Sequence, residues 1–225
     1  MKVPGSYSSL SEARSRGGNV RVVYSPLEAL QIAQANPAKS VVFLGVGFET
    51  TAPTTAVSIL EAERRGLKNF FFLSVHKLVP PAMRALLGLG EVHIDGFICP
   101  GHVSTIIGSH PYEFIARDYG IPCVIAGFEP VDILQAIAML LDMRRQGKAA
   151  VAIQYRRAVR PEGNPLALKL MSEAFQVSDS SWRGIGAIPG SGLKLAPHWQ
   201  RFDAEQNLSI KTRPPKEAAA CRCGD

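Results

Sequence analysis

The sequence predicts an α/β protein with mostly parallel, doubly wound sheets and helices on both faces. Short apolar, β-branched runs alternate with longer amphipathic stretches over the first 160 residues. Strands that follow one another through helices pair in parallel, because the crossover returns the chain to the same end of the sheet. The 225-residue chain is 46% hydrophobic and 20% charged, which is typical of a folded protein with a sizeable core.

The individual elements follow from start and stop signals. Ser25 and Pro26 supply an N-cap and a first-turn proline, and Gly66 ends the helix that begins after residue 53. The runs 42–49 and 124–129 both end in Gly-Phe-Glu, which suggests two related Rossmann-like units. The predicted strands are 20–24, 40–46, 70–75, 94–99 and 123–126, and the predicted helices are 27–36, 54–65, 82–87, 131–145 and 166–175.

Three regions are predicted along the chain. Residues 1–160 carry the alternating strands and helices. Residues 161–205 contain glycine and proline turns around one helix, which predicts a looser α/β region that packs back on the first. Residues 206–225 have no apolar period, which predicts a linker and the start of a truncated carboxy-terminal arm.

Charge and hydropathy narrow the classes of function. No apolar stretch reaches the roughly 18 residues of a membrane span, and the amino terminus lacks the apolar segment of a secretory signal. Lys and Arg exceed Asp and Glu by 25 to 19, but the excess is spread thinly and is densest at Arg156, Arg157 and Arg160. A nucleic-acid site would need a basic face with aromatic residues between the charges. We therefore expect a cytoplasmic chain that binds neither nucleic acid nor membrane.

Three turns at predicted strand ends carry the candidate functional residues. Ligands bind beyond the carboxyl ends of parallel strands, where loops and helix amino termini converge. The turn at 47–51 offers a carboxylate and two hydroxyls, although a plain helix start capped by threonine is the alternative. The turn at 99–104 offers an imidazole and a hydroxyl, and the turn at 127–130 repeats the first. We expect six side chains to share one cleft at one sheet edge: Glu49, Thr50, Thr51, His102, Ser104 and Glu129.

The four cysteines predict metal or thiol chemistry rather than disulfides. Cys221 and Cys223 supply only half of the ligands that a zinc ion or an iron–sulfur cluster needs. Cys99 ends one predicted strand and Cys123 begins another, so we expect their side chains at opposite ends of the sheet. A small buried hydrophobe is the alternative for Cys99. The glycine-rich run 189–193 lacks the Lys-Ser/Thr of a phosphate-binding loop.

Taken in order, these motifs resemble a known protein family. The resemblance extends over essentially the whole chain and rests on residues 3–6, 20–26, 46–53, 100–104, 126–130, 162–164, 182–184 and 188–193. They are similar to those of the HypD family, hydrogenase maturation factors that help to build the iron centre of nickel–iron hydrogenases.

The resemblance implies an assembly scaffold with a redox function rather than a conventional enzyme. HypD proteins hold iron together with the small partner HypC, receive cyanide from HypE, and use a [4Fe-4S] cluster or thiols for electron transfer while the iron gains cyanide and carbon monoxide ligands. The resemblance places Glu49, Thr50, His102 and Ser104 around the cleft where the iron-bearing loop docks.

Members of the HypD family are longer than this chain, with cysteine motifs on both sides of the matching stretch. The resemblance therefore implies a fragment, in which Cys221 and Cys223 begin a cluster motif that the chain does not complete. It also implies that HypC binds this chain weakly or not at all without the amino-terminal part.

Two alternatives stay open. The turn residues also suit an α/β enzyme that acts on an anionic or phosphorylated small molecule, with Glu49 or His102 as general base. The other alternative is a folded remnant without activity. Iron and cyanide bound to the full-length protein would favour the scaffold, whereas metal-free turnover of an anionic substrate would favour the enzyme.

Overall fold

A computed structural model describes residues 5, 8–90 and 93–210 of the chain. These residues form parallel strands connected by helices, which confirms the α/β class. The strands are β1 (Val41–Gly47), β2 (Phe70–His76), β3 (Phe97–Pro100), β4 (Cys123–Ala126), β5 (Val151–Ile153), β6 (Phe175–Trp182) and β7 (Gly186–Leu195). The helices are α1 (Leu10–Ser15), α2 (Pro26–Ala35), α3 (Ala52–Arg64), α4 (Val79–Gly88), α5 (Gly101–Ile107), α6 (Glu113–Tyr119), α7 (Pro130–Arg145), α8 (Pro165–Ala174) and α9 (Ala204–Asn207), with 3-10 helices at His110–Tyr112 and Pro197–Phe202.

The described strands form three sheets. β1 pairs with β2 in parallel, and β4 lies between β3 and β5 in a second parallel sheet. β6 and β7 form an antiparallel hairpin. The candidate turns were expected at one edge of a single sheet, but they follow strands of two separate parallel sheets.

Local sequence signals set most helix boundaries. Ser25 Oγ accepts a hydrogen bond from Leu27 N at 3.2 Å, and Asn164 Oδ1 accepts one from Ala167 N at 3.0 Å. α4 begins at residue 79, earlier than predicted, because its two prolines occupy the first turn, where a backbone N–H has no helical partner.

Three hydrophobic clusters hold these elements together. The largest lies between one face of the β1–β2 sheet and helices α2, α3 and α8, and it includes Phe70, Phe72 and Phe175. The β3–β4–β5 sheet has a cluster on each face, with α7 covering one of them. The second face of the β1–β2 sheet differs, because its side chains Val42, Val46 and Val75 remain partly exposed.

Residues 161–205 contain more regular structure than the sequence predicted. The glycines at 184–192 belong to the turn and second strand of the β6–β7 hairpin. Leu78 N donates to Ser191 C=O at 2.9 Å, which joins the hairpin to the chain after β2. α8 packs against α3. The division of the chain at residue 160 stays a prediction, and residues 211–225, with Cys221 and Cys223, lie outside the described residues.

The strand predicted at 20–24 is not formed in the described structure. These residues belong to no sheet of the described structure, and they run as an irregular segment into α2. A β-branched run becomes a strand only where a neighbouring strand offers backbone partners, and no described strand lies beside this one. No described helix is long and apolar enough to cross a membrane.

Candidate functional site

Glu49 is a buried carboxyl just beyond the end of β1. The residue is 2% exposed, and its Oε1 accepts a hydrogen bond from Val79 N, the first residue of α4, at 2.9 Å. Its Oε2 has no partner among the described residues. Burial raises the pKa of Glu49 from its usual 4.5 to about 7 against the opposing backbone hydrogen bonds. Near neutral pH this carboxyl is therefore able either to donate or to accept a proton.

The turn that carries Glu49 needs a glycine at residue 47. Gly47 has φ +154°, and a Cβ there would lie 2.1 Å from Thr51 Oγ1. Thr51 stands at the N-cap position of α3 but makes no side-chain cap; its hydroxyl donates instead to Phe48 C=O at 3.2 Å. Thr50 is half-buried beside it. The alternative, a helix start capped by the threonine side chain, is therefore wrong.

His102 stands at the exposed start of α5, among aromatic rings. Its ring meets Phe128 edge-on, with centroids 4.8 Å apart, and the Tyr155 ring lies 6.4 Å away. Cβ atoms added to Gly101 and Gly127 would each lie 2.9 Å from the Tyr155 ring. The two glycines therefore leave the space that lets Tyr155 reach across both turns toward His102.

Asp132 and Arg157 form the charged part of the same region. Arg157 donates to both carboxylate oxygens of Asp132, at 2.9 and 2.6 Å, and its guanidinium lies 4.4 Å from the Tyr155 ring centroid. The hydrogen bonds from Arg157 and then Gln154 lower the pKa of buried Asp132 to about 2. Glu129 is exposed, and its Oε2 lies 3.4 Å from Arg157 Nη2. The end of β4 thus presents one cation between two carboxylates.

Ser104 faces inward rather than toward solvent. Its Oγ donates to Pro100 C=O at 2.9 Å and lies 3.3 Å from the Tyr112 hydroxyl. Both side chains are fully buried. Burial raises the pKa of Tyr112 above its usual range, and the nearby Cys99 and Glu49 contribute to that rise.

The expected separation of Cys99 and Cys123 is wrong. Phe97 pairs with Cys123 and Cys99 pairs with Ile125, so the two cysteines lie two residues apart in register on the same face of the sheet. Both are free and buried in one hydrophobic cluster. A hydrogen bond with Cys123, together with burial, raises the pKa of Cys99 well above its usual value.

The single sheet edge expected for the six candidate residues is also wrong. Glu49 follows β1 of the first sheet, whereas His102 and Glu129 follow β3 and β4 of the second. That they share one cleft stays a prediction. No sequence pattern marks Tyr112 or Tyr155, whereas Arg157 belongs to the basic group that the sequence analysis identified.

Comparisons with known proteins agree with the motif resemblance. The family model HypD, described as the hydrogenase formation hypA family, matches residues 1–225. The hydrogenase maturation factors HypD of Rhodobacter capsulatus and Escherichia coli are 46% identical over 229 and 226 residues, which is all of this chain and 61% of each relative. The hydrogenase expression/formation protein HupD of Azotobacter chroococcum is 47% identical over 230 residues, 99% of this chain and 61% of the relative.

The chain thus spans about three-fifths of the length of these curated relatives. The match of the family model reaches from the first residue to the last and includes every motif turn described above. The chain belongs to the HypD family of hydrogenase formation proteins.

Proposed function

We propose that this chain contributes to a cytoplasmic scaffold for the maturation of nickel–iron hydrogenase. On this proposal the scaffold holds the iron as its cargo while cyanide and carbon monoxide ligands are added, together with a HypC-like chaperone and a HypE-like cyanide donor. The observation that carries the proposal is the family match over all 225 residues, with relatives named as hydrogenase maturation factors.

The site suits a role in positioning rather than in binding iron. His102 presents an exposed imidazole whose ring is set by Phe128 and Tyr155. Glu49 Oε2 is buried without a partner among the residues that the structure describes, and the carboxyl changes charge near neutral pH. Hydrogen-bonding groups of this kind orient the ligands of a metal that other residues hold. On this proposal Thr50, Thr51, Ser104 and Glu129 complete the surroundings of the iron.

The [4Fe-4S] cluster of the family does not fit the described residues. Such a cluster takes about four cysteine thiolates, and Cys99 and Cys123 are enclosed in an apolar cluster. Cys221 and Cys223 resemble part of a cluster motif, but they lie outside the described residues. No step of the proposed function is therefore assigned to the cluster in this chain.

An exchange experiment tests the scaffold. This chain replaces the matching stretch of the Escherichia coli relative in cells that lack their own copy, and hydrogenase activity is measured. We expect the chimera to restore activity and His102→Ala to reduce it by an order of magnitude or more. His198→Ala is the matched control, because His198 is also exposed and also meets an aromatic ring, Trp199, edge-on at 4.7 Å. Equal activity of the two variants, or an inactive chimera that is folded, would contradict the proposal.

The second candidate function is an α/β enzyme acting on an anionic or phosphorylated small molecule. The pKa of Glu49 near 7 favours it, because general bases work best when their pKa lies near the operating pH. The full-length chimera separates the two candidates. Iron in the purified chimera, with cyanide bands in its infrared spectrum, supports the scaffold, whereas turnover of an anionic substrate by metal-free protein supports the enzyme.

A further inference from the structure

Residues 20–24, before α2, have the sequence of a β-strand but lie outside every sheet of the described structure. The side chains of Val20, Val22 and Tyr24 alternate with Arg21 and Val23, so they would form one apolar face of an extended strand. Val22 is 64% exposed and Tyr24 is 96% exposed. An apolar strand face left in water is typical of a surface that another element covers.

The backbone of this segment is also free to pair. Val20 N donates to Gly18 C=O at 2.8 Å, and Tyr24 N donates to Glu28 Oε1 at 3.2 Å. Between them, the N–H groups of Arg21, Val22 and Val23 have no hydrogen-bond partner among the described residues. In an extended strand the N–H groups of Arg21 and Val23 point to one edge and that of Val22 to the other, so both edges of this β-branched run are free for strand addition to a sheet edge.

We propose that residues 20–24 form a β-strand that pairs with a sheet supplied by the part of the HypD chain that has no counterpart here. The relatives are longer by about two-fifths of their length, which is ample for an additional α/β unit. Val20, Val22 and Tyr24 would then be buried beneath that unit. The pairing would join the additional unit directly to α2, because Ser25 caps this helix and follows the segment at once.

Hydrogen exchange tests the pairing in two proteins. One is this chain by itself; the other is the chimera in which this chain replaces the matching stretch of the Escherichia coli relative. We expect the amides on the pairing edge, either those of Arg21 and Val23 or that of Val22, to exchange at least about 100-fold more slowly in the chimera, because strand pairing protects them. Equal exchange in the two proteins would overturn the proposal. Protection in this chain alone that rises with its concentration would also overturn it, since the occupant would then be a second copy.

A substitution gives a second, independent readout. Val22→Asp should lower the melting temperature of the chimera by about 5 °C, because it would place a charge under the additional unit. The matched control is Val177→Asp, since Val177 is 63% exposed on β6. In the chain alone, both substitutions should leave the melting temperature unchanged. A chimera that tolerates Val22→Asp as well as Val177→Asp would contradict the pairing, whether or not that chimera supports hydrogenase maturation.

Discussion

Replacing Glu49 by glutamine should make the protein more stable at alkaline pH. A carboxyl whose pKa rises on folding binds its proton more tightly in the folded chain than in the unfolded one. The folded protein therefore loses stability as the pH rises from 4.5 to about 7, and the loss is complete above that window. Glutamine keeps an oxygen as acceptor for Val79 N but carries no charge.

The size of the effect follows from the pKa difference. A rise from 4.5 to about 7 corresponds to about 3 kcal/mol of lost stability above pH 7. At pH 5 the loss is below about 1 kcal/mol, because the folded carboxyl is still protonated and the unfolded one is only partly ionised. The glutamine NH₂ adds a buried donor whose cost does not depend on pH. The difference between the two pH values therefore isolates the ionisation.

Urea denaturation at pH 5 and pH 8 measures this difference. The free energy of unfolding of Glu49→Gln, relative to the parent, should be about 2 to 3 kcal/mol higher at pH 8 than at pH 5. Glu129→Gln is the matched control, because Glu129 also follows a strand in a Gly-Phe-Glu turn but its carboxylate is exposed. A Glu49→Gln effect of equal size at both pH values would show that the carboxyl is not desolvated by folding, and would refute the reasoning.

Three further predictions concern other parts of the molecule. The ionised Asp132 carboxylate stabilises the fold above about pH 4, and this contribution disappears as the pH falls through the lowered pKa of about 2. Asp132→Asn should therefore remove this acid-dependent loss of stability, which an acid titration followed by circular dichroism measures. Gly127→Ala should destabilise the protein by about 2 kcal/mol in urea, since its Cβ would lie 2.0 Å from Asp132 Oδ2, whereas Gly88→Ala, with open space around it, should not. Cys221→Ser with Cys223→Ser should leave the melting temperature unchanged, and the parent chain should show little cluster absorption after anaerobic reconstitution; a stoichiometric cluster in a monomer would contradict this.

The helices were predictable because their signals are local. Ser25-Pro26 and Asn164-Pro165 fix two helix starts through a side-chain cap and a proline that has no N–H to lose. Cys123–Ala126 was predicted to the residue because β4 is fully buried and is therefore a continuous apolar run. Signals of this kind depend on a few neighbouring residues, so tertiary contacts do not alter them.

The errors lie where the outcome depends on partners distant in sequence. The segment 20–24 has strand propensity but no described strand to pair with. Cys99 and Cys123 share a face because Phe97, rather than Ile94, begins β3 and pairs with Cys123. That register is set by how the sheet packs, and nothing in either strand's own sequence encodes it.

The candidate site was predictable in its turns but not in its supporting residues. Glu49, His102 and Glu129 stand in turns whose glycines mark close approaches of the chain. Tyr155 and Tyr112 come from other parts of the sequence and carry no pattern of their own. Only the structure shows that the Tyr155 ring packs against Gly101 and Gly127 and that the Tyr112 hydroxyl lies next to Ser104 Oγ.

Burial divides the predicted site residues into two groups with different consequences. His102 and Glu129 are exposed and open to direct contact with a partner. Glu49 is buried and holds the first N–H of α4, a helix whose later residue Leu87 packs in the cluster beneath β3 and β4. The carboxyl of Glu49 thus connects the end of the first sheet to the core of the second. A change in the charge of Glu49 acts on that junction, so the effect of replacing Glu49 should be measured first as the free energy of unfolding against pH. The effect of replacing the exposed His102 should be measured first as maturation activity.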